Sequence, residues 1–304
     1  MSAEALKSIV KGLPFIKDLV AERDALIEAH GIAPPGHFYS PITSMEEVRR
    51  DEARIFGEKP RSIAGIDLRE TEQLALVKEL QSYYPSIPFA AQKTELMRYY
   101  YENLAYSYSD AIFLHCMIRH LKPARILEVG SGYSSCATLD TNELFFSDSI
   151  ATTFIEPYPE LLLSLLKPGD KEKISLHAQR LQDVPLSLFN QLGENDILFI
   201  DSTHVGKVNS DVNRIFFEIL PSLRSGVYIH IHDVFYPFEY PKEWILGGRS
   251  WNELYMLRCF LQYNGAFEVT LMNRFLEHFH ADYFQAHMPL CMKNPGGSIW
   301  LRKK

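Results

Sequence analysis

The stretch Ala124–Ser135, ARILEVGSGYSS, followed by Thr153–Pro157, TFIEP, constrains the fold more than any other part of the chain. Ile126, Leu127 and Val129 form a short apolar run suited to a strand buried on both faces. Gly130 and Gly132 follow at once, and glycine permits both a tight turn and close approach of the backbone to a ligand. The second run ends on a carboxylate, Glu156. A strand, a glycine turn and a second strand closing on an acid read as a site for a nucleoside-bearing cofactor, with Glu156 at the ribose hydroxyls.

Two details separate the candidate ligands. A dinucleotide fingerprint has a third small residue, usually glycine, where Ser135 stands, and its acid about 20 residues further on; Glu156 lies 26 residues after Gly130. Glu128 stands two residues before the first glycine. A carboxylate there repels a pyrophosphate and attracts a ligand carrying an ammonium and a sulfonium. The pattern therefore favours S-adenosylmethionine over a nicotinamide dinucleotide.

At these residues the chain resembles the class I S-adenosylmethionine-dependent methyltransferases, whose glycine motif has the form Glu/Asp-x-Gly-x-Gly and is found here as Glu128–Gly132. Asp196–His204, DILFIDSTH, looks like the fourth strand of that fold with its terminal acid, and Gly226–Asp233, GVYIHIHD, looks like the fifth. The resemblance covers roughly residues 105 to 302. The paired Ile-Asp-x-x-His and His-Asp segments are similar to a bacterial branch of small-molecule methyltransferases of glycan and natural-product pathways, and Pro34–Pro41, PPGHFYSP, looks like a recurrent amino-terminal feature of some uncharacterised members. It implies an α/β fold: a Rossmann-like, doubly wound, mostly parallel seven-stranded sheet with an antiparallel last strand. A helical, loop-rich extension precedes it.

Composition narrows the function classes. With 46% hydrophobic and 23% charged residues among 304, the chain can bury one large core or two modest ones. A net charge of -7 argues against a general nucleic-acid binder. No apolar run approaches the roughly 20 residues needed to span a bilayer, and the amino terminus lacks the basic-then-apolar order of a signal peptide, so the expected location is cytoplasmic. Cys116, Cys136, Cys259 and Cys291 are far apart and form no Cys-x-x-Cys pair, which predicts reduced core or subsurface thiols.

Apolar spacing predicts a helical arm over 3–30, which could mediate a homodimer or fold over its own pocket. Residues 31–65 are rich in Pro and Gly, with a short helix at 44–56, and further helices are expected at 69–83 and 93–122. The tyrosines of 99–108 read mainly as core. Strands are expected near 125–129, 152–156, 174–177, 196–201, 226–232, 267–272 and 298–302. The resulting division is an extension or cap at 1–92 and a methyltransferase domain at 93–304, with substrate-side inserts at 234–265 and 273–297. His37, Tyr39 and Arg249 are loop candidates for the substrate side.

Ligands of open parallel sheets bind beyond the carboxyl ends of the strands, so residues ending successive strands should converge. Glu128, Gly130, Ser131, Gly132 and Glu156 are the expected cofactor residues. Gln182 and Asp183 join them after the third strand, where the resembled family often contacts adenine, although Asp183 could equally cap the helix begun by Pro185. Asp201 and His204 end the fourth strand and His232 and Asp233 the fifth; with strands about 4.8 Å apart, these four can share one volume. A hydroxyl acceptor must lose its proton as it attacks the methyl carbon in line, and a His near neutral pKa is the natural base. The competing reading is a divalent metal such as magnesium on Asp201 and Asp233. Metal-dependent relatives place another carboxylate or amide directly after the fifth-strand acid; Val234 stands there, so His204 or His232 would have to complete the set.

The activity expected is transfer of a methyl group from S-adenosylmethionine to a small-molecule or sugar-like acceptor, with a hydroxyl as the expected acceptor group and nitrogen acceptors not separated by sequence. The rival classes are a non-catalytic module that retains the fold and binds a glycan or a protein, and an NAD-dependent oxidoreductase.

Overall fold

One seven-stranded sheet, in the order β3-β2-β1-β4-β5-β7-β6, organises the computed structural model, which describes residues 14–29 and 31–304. Its strands are β1 (Arg125–Val129), β2 (Ala151–Ile155), β3 (Ser175–His177), β4 (Ile197–Ile200), β5 (Tyr228–His232), β6 (Phe267–Met272) and β7 (Ser298–Lys303). Strands β1 to β5 are parallel, and β7 runs antiparallel to both β5 and β6. Every residue of β4 is buried, as an uninterrupted ILFI run requires of a strand covered on both faces. The expected α/β sheet, including its antiparallel last strand, is the sheet observed.

The strand order reverses between β1, which leads outward to β2 and β3, and β4, which leads to β5. That switch point places the ends of β1, β2, β4 and β5 along one crevice. The helix Tyr108–Leu121, buried along nearly its whole length, packs against the helix Tyr133–Phe146. It ends where Lys122 turns left-handed before Pro123.

The chain divides into two compact units. The larger, Lys59–Pro241 with Trp251–Lys304, carries the sheet and begins earlier than the boundary at 92/93 expected from sequence. Its helix Glu70–Leu80 buries Val77 and Leu80, and the Gln73 side chain accepts the Met272 N–H at 2.7 Å. Residues 93–107 form turns rather than the expected helix. The Arg98 and Tyr99 amides both donate to the buried Asp140 carboxylate (2.9 and 2.8 Å), and that anchorage overrides local helical spacing. Tyr99, Tyr101, Tyr106 and Tyr108 are core residues.

The smaller unit takes in the chain up to Glu58 and Lys242–Ser250. Its described helices are Pro14–Ala29, Met45–Arg50, Glu52–Ile55 and Lys242–Leu246. Ser44 caps the second, and Lys242 pairs with Glu52 at 2.6 Å. The part of the expected arm at 3–13 lies outside the described residues. His37 stacks on Phe38 and Tyr39 is tilted against it, with Phe38 and Tyr39 exposed, and Arg249 covers Trp244. Of the cysteines, Cys116, Cys136 and Cys291 are buried as expected, whereas Cys259 is exposed. Among the described residues no helix is long and apolar enough to cross a membrane.

Candidate active site

Gly130 turns the chain at the end of β1 with φ +83°, and its N–H donates to the Ile155 carbonyl at 3.0 Å. The turn aims the Ser131 N–H at Glu156 Oε2 (3.2 Å), while the Tyr158 N–H donates to Oε1 (2.8 Å). Both carboxylate oxygens of Glu156 are thus oriented by backbone and keep lone pairs for a ligand. Burial raises its pKa against those two hydrogen bonds. Glu128 lies beneath the turn, fully buried; the Ser134 and Ser135 hydroxyls donate to Oε1 at 2.6 and 2.9 Å. Burial, aided by Asp201 and Glu156, pushes its carboxyl up to about 8 despite these bonds. Gly132 donates its N–H to Ser135 Oγ at 3.0 Å.

A cavity of about 350 Å³ opens beside this turn, lined by Gly130, Glu156, Tyr158, Gln182, Asp201 and Asp211 among others. Gln182 is held there by its bond to the Asn209 carbonyl (2.7 Å), and Arg214 donates to the Gln182 and Val184 carbonyls from below. Asp183 stands apart: it is exposed, paired with Arg180 at 2.9 Å, and does not line the cavity. Two buried atoms of the turn, Glu128 Oε2 and Ser131 Oγ, have no protein partner. Together with the Glu156 acceptors, they fit a ligand bearing an ammonium and a ribose.

Asp201 belongs both to that cavity and to a buried cluster at the ends of β4 and β5. His204 Nε2 lies 3.3 Å from Asp201 Oδ1 and 3.4 Å from Asp233 Oδ2. His232 Nδ1 lies 3.4 Å from Asp201 Oδ2 and 3.8 Å from Asp233 Oδ1. The four strand-end residues therefore meet. His204 and Asp233 both hold left-handed backbone, φ +60° and +57°, a conformation non-glycine residues adopt at a cost of order 1–3 kcal/mol.

Two further carboxylates complete the cluster, neither of them marked by a motif. Glu253, the first residue of the helix Glu253–Leu261, meets His204 Nδ1 at 2.8 Å. Asp110, in the helix before β1, faces His232 Nε2 at 3.7 Å and is fixed by the Gly297 N–H (3.1 Å) and Asn273 Nδ2 (3.1 Å). Four carboxylates surround two imidazoles. Burial would raise Asp201, but His232 and His204 outweigh it and hold its carboxyl far below the usual range. Burial opposes charge on His204, yet Asp201 and Glu253 lift it to about 10; Asp233, Asp201 and Asp110 lift His232 likewise. Burial raises Asp233. The expectation of a His near neutral pKa is not met: the acids around them pull both rings above the ordinary imidazole value. Their neighbour His230 is pushed down to about 3 by burial and stacks on Phe199 at 4.1 Å.

The model of a methyltransferase domain family matches residues 127–234, which span β1 to the end of β5. An uncharacterized protein of Archaeoglobus fulgidus is 40% identical over 192 residues, covering 60% of this chain and 84% of that protein. Among solved structures, an SAH-bound methyltransferase of Podospora anserina is 16% identical, with 86% of this chain and 96% of that one covered and a TM-score of 0.43. An O-methyltransferase of Streptomyces achromogenes involved in tomaymycin synthesis, in complex with SAM, is 16% identical over 76% and 89% of the two chains, with a TM-score of 0.42. A doubly wound sheet with a glycine turn and an acid at its switch point defines a nucleoside-cofactor enzyme. With the matched domain and the glycine motif, the chain belongs to the class I S-adenosylmethionine-dependent methyltransferases.

Proposed function

We propose that the protein methylates a hydroxyl of a small-molecule acceptor, with a divalent ion held by Asp201, His204 and Asp233 beside the reacting atoms. The observation that carries this reading is the double membership of Asp201, which ends β4, lines the cofactor cavity and belongs to the ion-binding set. Bound at the glycine turn, S-adenosylmethionine supplies a methyl group on a cationic sulfur. Glu156 would accept from its ribose hydroxyls, Gln182 would lie toward its base, and Glu128 with Ser131 would meet its ammonium end.

The donor set fits a divalent ion. One oxygen each from Asp201 and Asp233 and one nitrogen from His204 lie within 4.8 Å of one another. Four carboxylates, Asp110 and Glu253 buried and Asp201 and Asp233 half-buried, outnumber two imidazoles and leave negative charge that a dication would balance. An ion there would make an acceptor hydroxyl more acidic. His232 faces Asp110 on one side and Asp201 and Asp233 on the other; an ion beside it would lower its hold on its own proton and leave the ring free to take the proton that leaves the acceptor. The acidic balance of the chain suits a small acceptor better than a nucleic acid.

Calorimetric titration with S-adenosylmethionine and with NAD, on the native chain and on Glu156→Ala, tests the cofactor assignment. Saturable S-adenosylmethionine binding that weakens in the variant supports it; NAD binding in its place would overturn it. A hydroxyl-bearing panel assayed for release of S-adenosylhomocysteine, with and without chelator, tests the acceptor and the ion. Turnover confined to amines would sink the hydroxyl reading.

A further inference from the structure

The segment Trp251–Glu253 seizes His204 from several sides. The His204 carbonyl accepts the N–H of both Asn252 and Glu253 at 3.1 Å. The Asn252 side chain spans Gly206, accepting its N–H at 2.5 Å and donating to its carbonyl at 3.2 Å. The Trp251 ring lies 4.4 Å from the imidazole. The Glu253 carboxylate, 2% exposed, meets His204 Nδ1 at 2.8 Å and accepts the Ser202 hydroxyl at 3.3 Å. These contacts hold His204 in its left-handed backbone and fix the rotation of its ring.

The consequence lies in the other ring nitrogen. With Nδ1–H donated to Glu253, an incoming ion would displace the Nε2 proton and take the lone pair so freed, which faces the space between Asp201 and Asp233. A carboxylate on the far nitrogen of an imidazole sets the tautomer and strengthens the near nitrogen as an ion ligand. His232 Nδ1, also buried, makes no hydrogen bond and faces the same space from β5, 3.4 Å from Asp201. An all-oxygen set suits magnesium, which is hard, demands octahedral oxygen and dehydrates reluctantly. Replacing one oxygen by a fixed imidazole favours ions of manganese-to-zinc type.

We propose that Glu253 is the positioning residue that makes His204 an ion ligand, and that the resulting carboxylate–imidazole–carboxylate site prefers a divalent transition ion to magnesium. This rests on the ion-assisted reading above. It assigns a task to the 234–265 insert, which supplies the Glu253 support.

The test is calorimetric titration of the full chain with manganese(II) and with magnesium, on the native protein, Glu253→Ala and Glu253→Gln, together with pulsed electron paramagnetic resonance of bound manganese. The native chain should bind manganese at least about tenfold more tightly than magnesium and show coupling to an imidazole nitrogen. Glu253→Ala should lose roughly 10- to 100-fold in manganese affinity, the usual effect of removing such a support. Glu253→Gln keeps an oxygen for Nδ1–H and should lose less, about three- to tenfold, which carries the test where the alanine variant fails to fold. Affinity for S-adenosylmethionine should change little in either. Equal affinity for the two ions without nitrogen coupling, or unchanged manganese affinity in both variants, overturns the inference alone. Absence of binding by either ion, with S-adenosylmethionine still bound, overturns the ion-assisted reading as well.

Discussion

The Asp201 carbonyl closes over Gly130: a β-carbon built on that glycine would sit 1.9 Å from the Asp201 oxygen. The contact joins the turn after β1 to the end of β4, the two sides of the topological switch point, and the Asp201 N–H completes it by donating to the Val129 carbonyl at 2.8 Å. Gly130→Ala must therefore push a backbone carbonyl aside while holding φ near +83°. Equilibrium urea unfolding should reveal a loss of at least about 2 kcal/mol, and calorimetry a loss of S-adenosylmethionine binding. A variant that unfolds at the native midpoint with native affinity would refute the closure as a constraint.

Glu156 is oriented by two backbone amides rather than by side chains, so its geometry survives in the free protein. Glu156→Gln keeps the size but must turn an NH2 toward one of those donors, from Ser131 or Tyr158. Loss of a charge-assisted bond costs about 1.5–3 kcal/mol, or roughly 10- to 150-fold in affinity. The expected result is weaker S-adenosylmethionine binding by that factor with a nearly unchanged melting temperature. A large fall in melting temperature with unchanged affinity would instead make Glu156 a structural residue.

The strands at the switch point were legible because β1 and β4 are apolar runs bounded by turns, and the alternation of strands with helices implies parallel pairing. The meeting of Asp201, His204, His232 and Asp233 followed from strand ends alone. Glu253 and Asp110 were not legible: they reach the cluster from 49 residues after His204 and 122 before His232, with no local pattern to announce a long-range contact. Gln182 and Asp183 are neighbours in a single 3₁₀ turn, and spacing does not say which faces the cavity. The helix expected over 93–107 failed for a related reason, since Arg98 and Tyr99 are claimed by Asp140 some forty residues on.

Arg98 itself is 2% exposed and spends its guanidinium on three acids: Asp140 (2.7 Å), Glu143 (2.6 Å) and Asp170 (2.6 Å). Arg98→Met leaves those acids without their cation and should cost about 3–5 kcal/mol, the usual effect of removing one partner of a buried pair. Burial opposes ionisation of Glu143 and Asp170, but Lys167 and Arg98 for the first, and Arg98 with the Lys167 amide for the second, hold both below their ordinary values. Such groups add stability above the unfolded pKa near 4 and lose it as pH falls through the folded values. Asp140, raised by burial, counts the other way. Stability should thus decline from pH 5 to 3 in the native chain and decline less in Arg98→Met; equal slopes in the two would remove the network from the account of acid unfolding.

Glu277 offers the opposite pH dependence. It is 3% exposed in the helix Asn273–Phe279, accepting the Ser109 hydroxyl at Oε1 and the Gly296 N–H at Oε2 (3.1 Å). Burial, with the Asp110 carboxylate adding to it, raises its pKa well above the ordinary value. The folded protein therefore keeps a proton that the unfolded chain releases above about pH 4.3. A raised carboxyl makes the fold lose stability as pH rises, by about 1.4 kcal/mol per unit for one proton, until the folded pKa is reached. Glu277→Gln keeps the shape and both hydrogen-bonding positions without a titrating group. In urea unfolding from pH 5 upward the variant should gain on the native chain until the folded pKa is passed, because only the native chain must keep that proton. Parallel stability curves would mean that Glu277 is ionised in the fold and that its surroundings are more polar than its burial indicates.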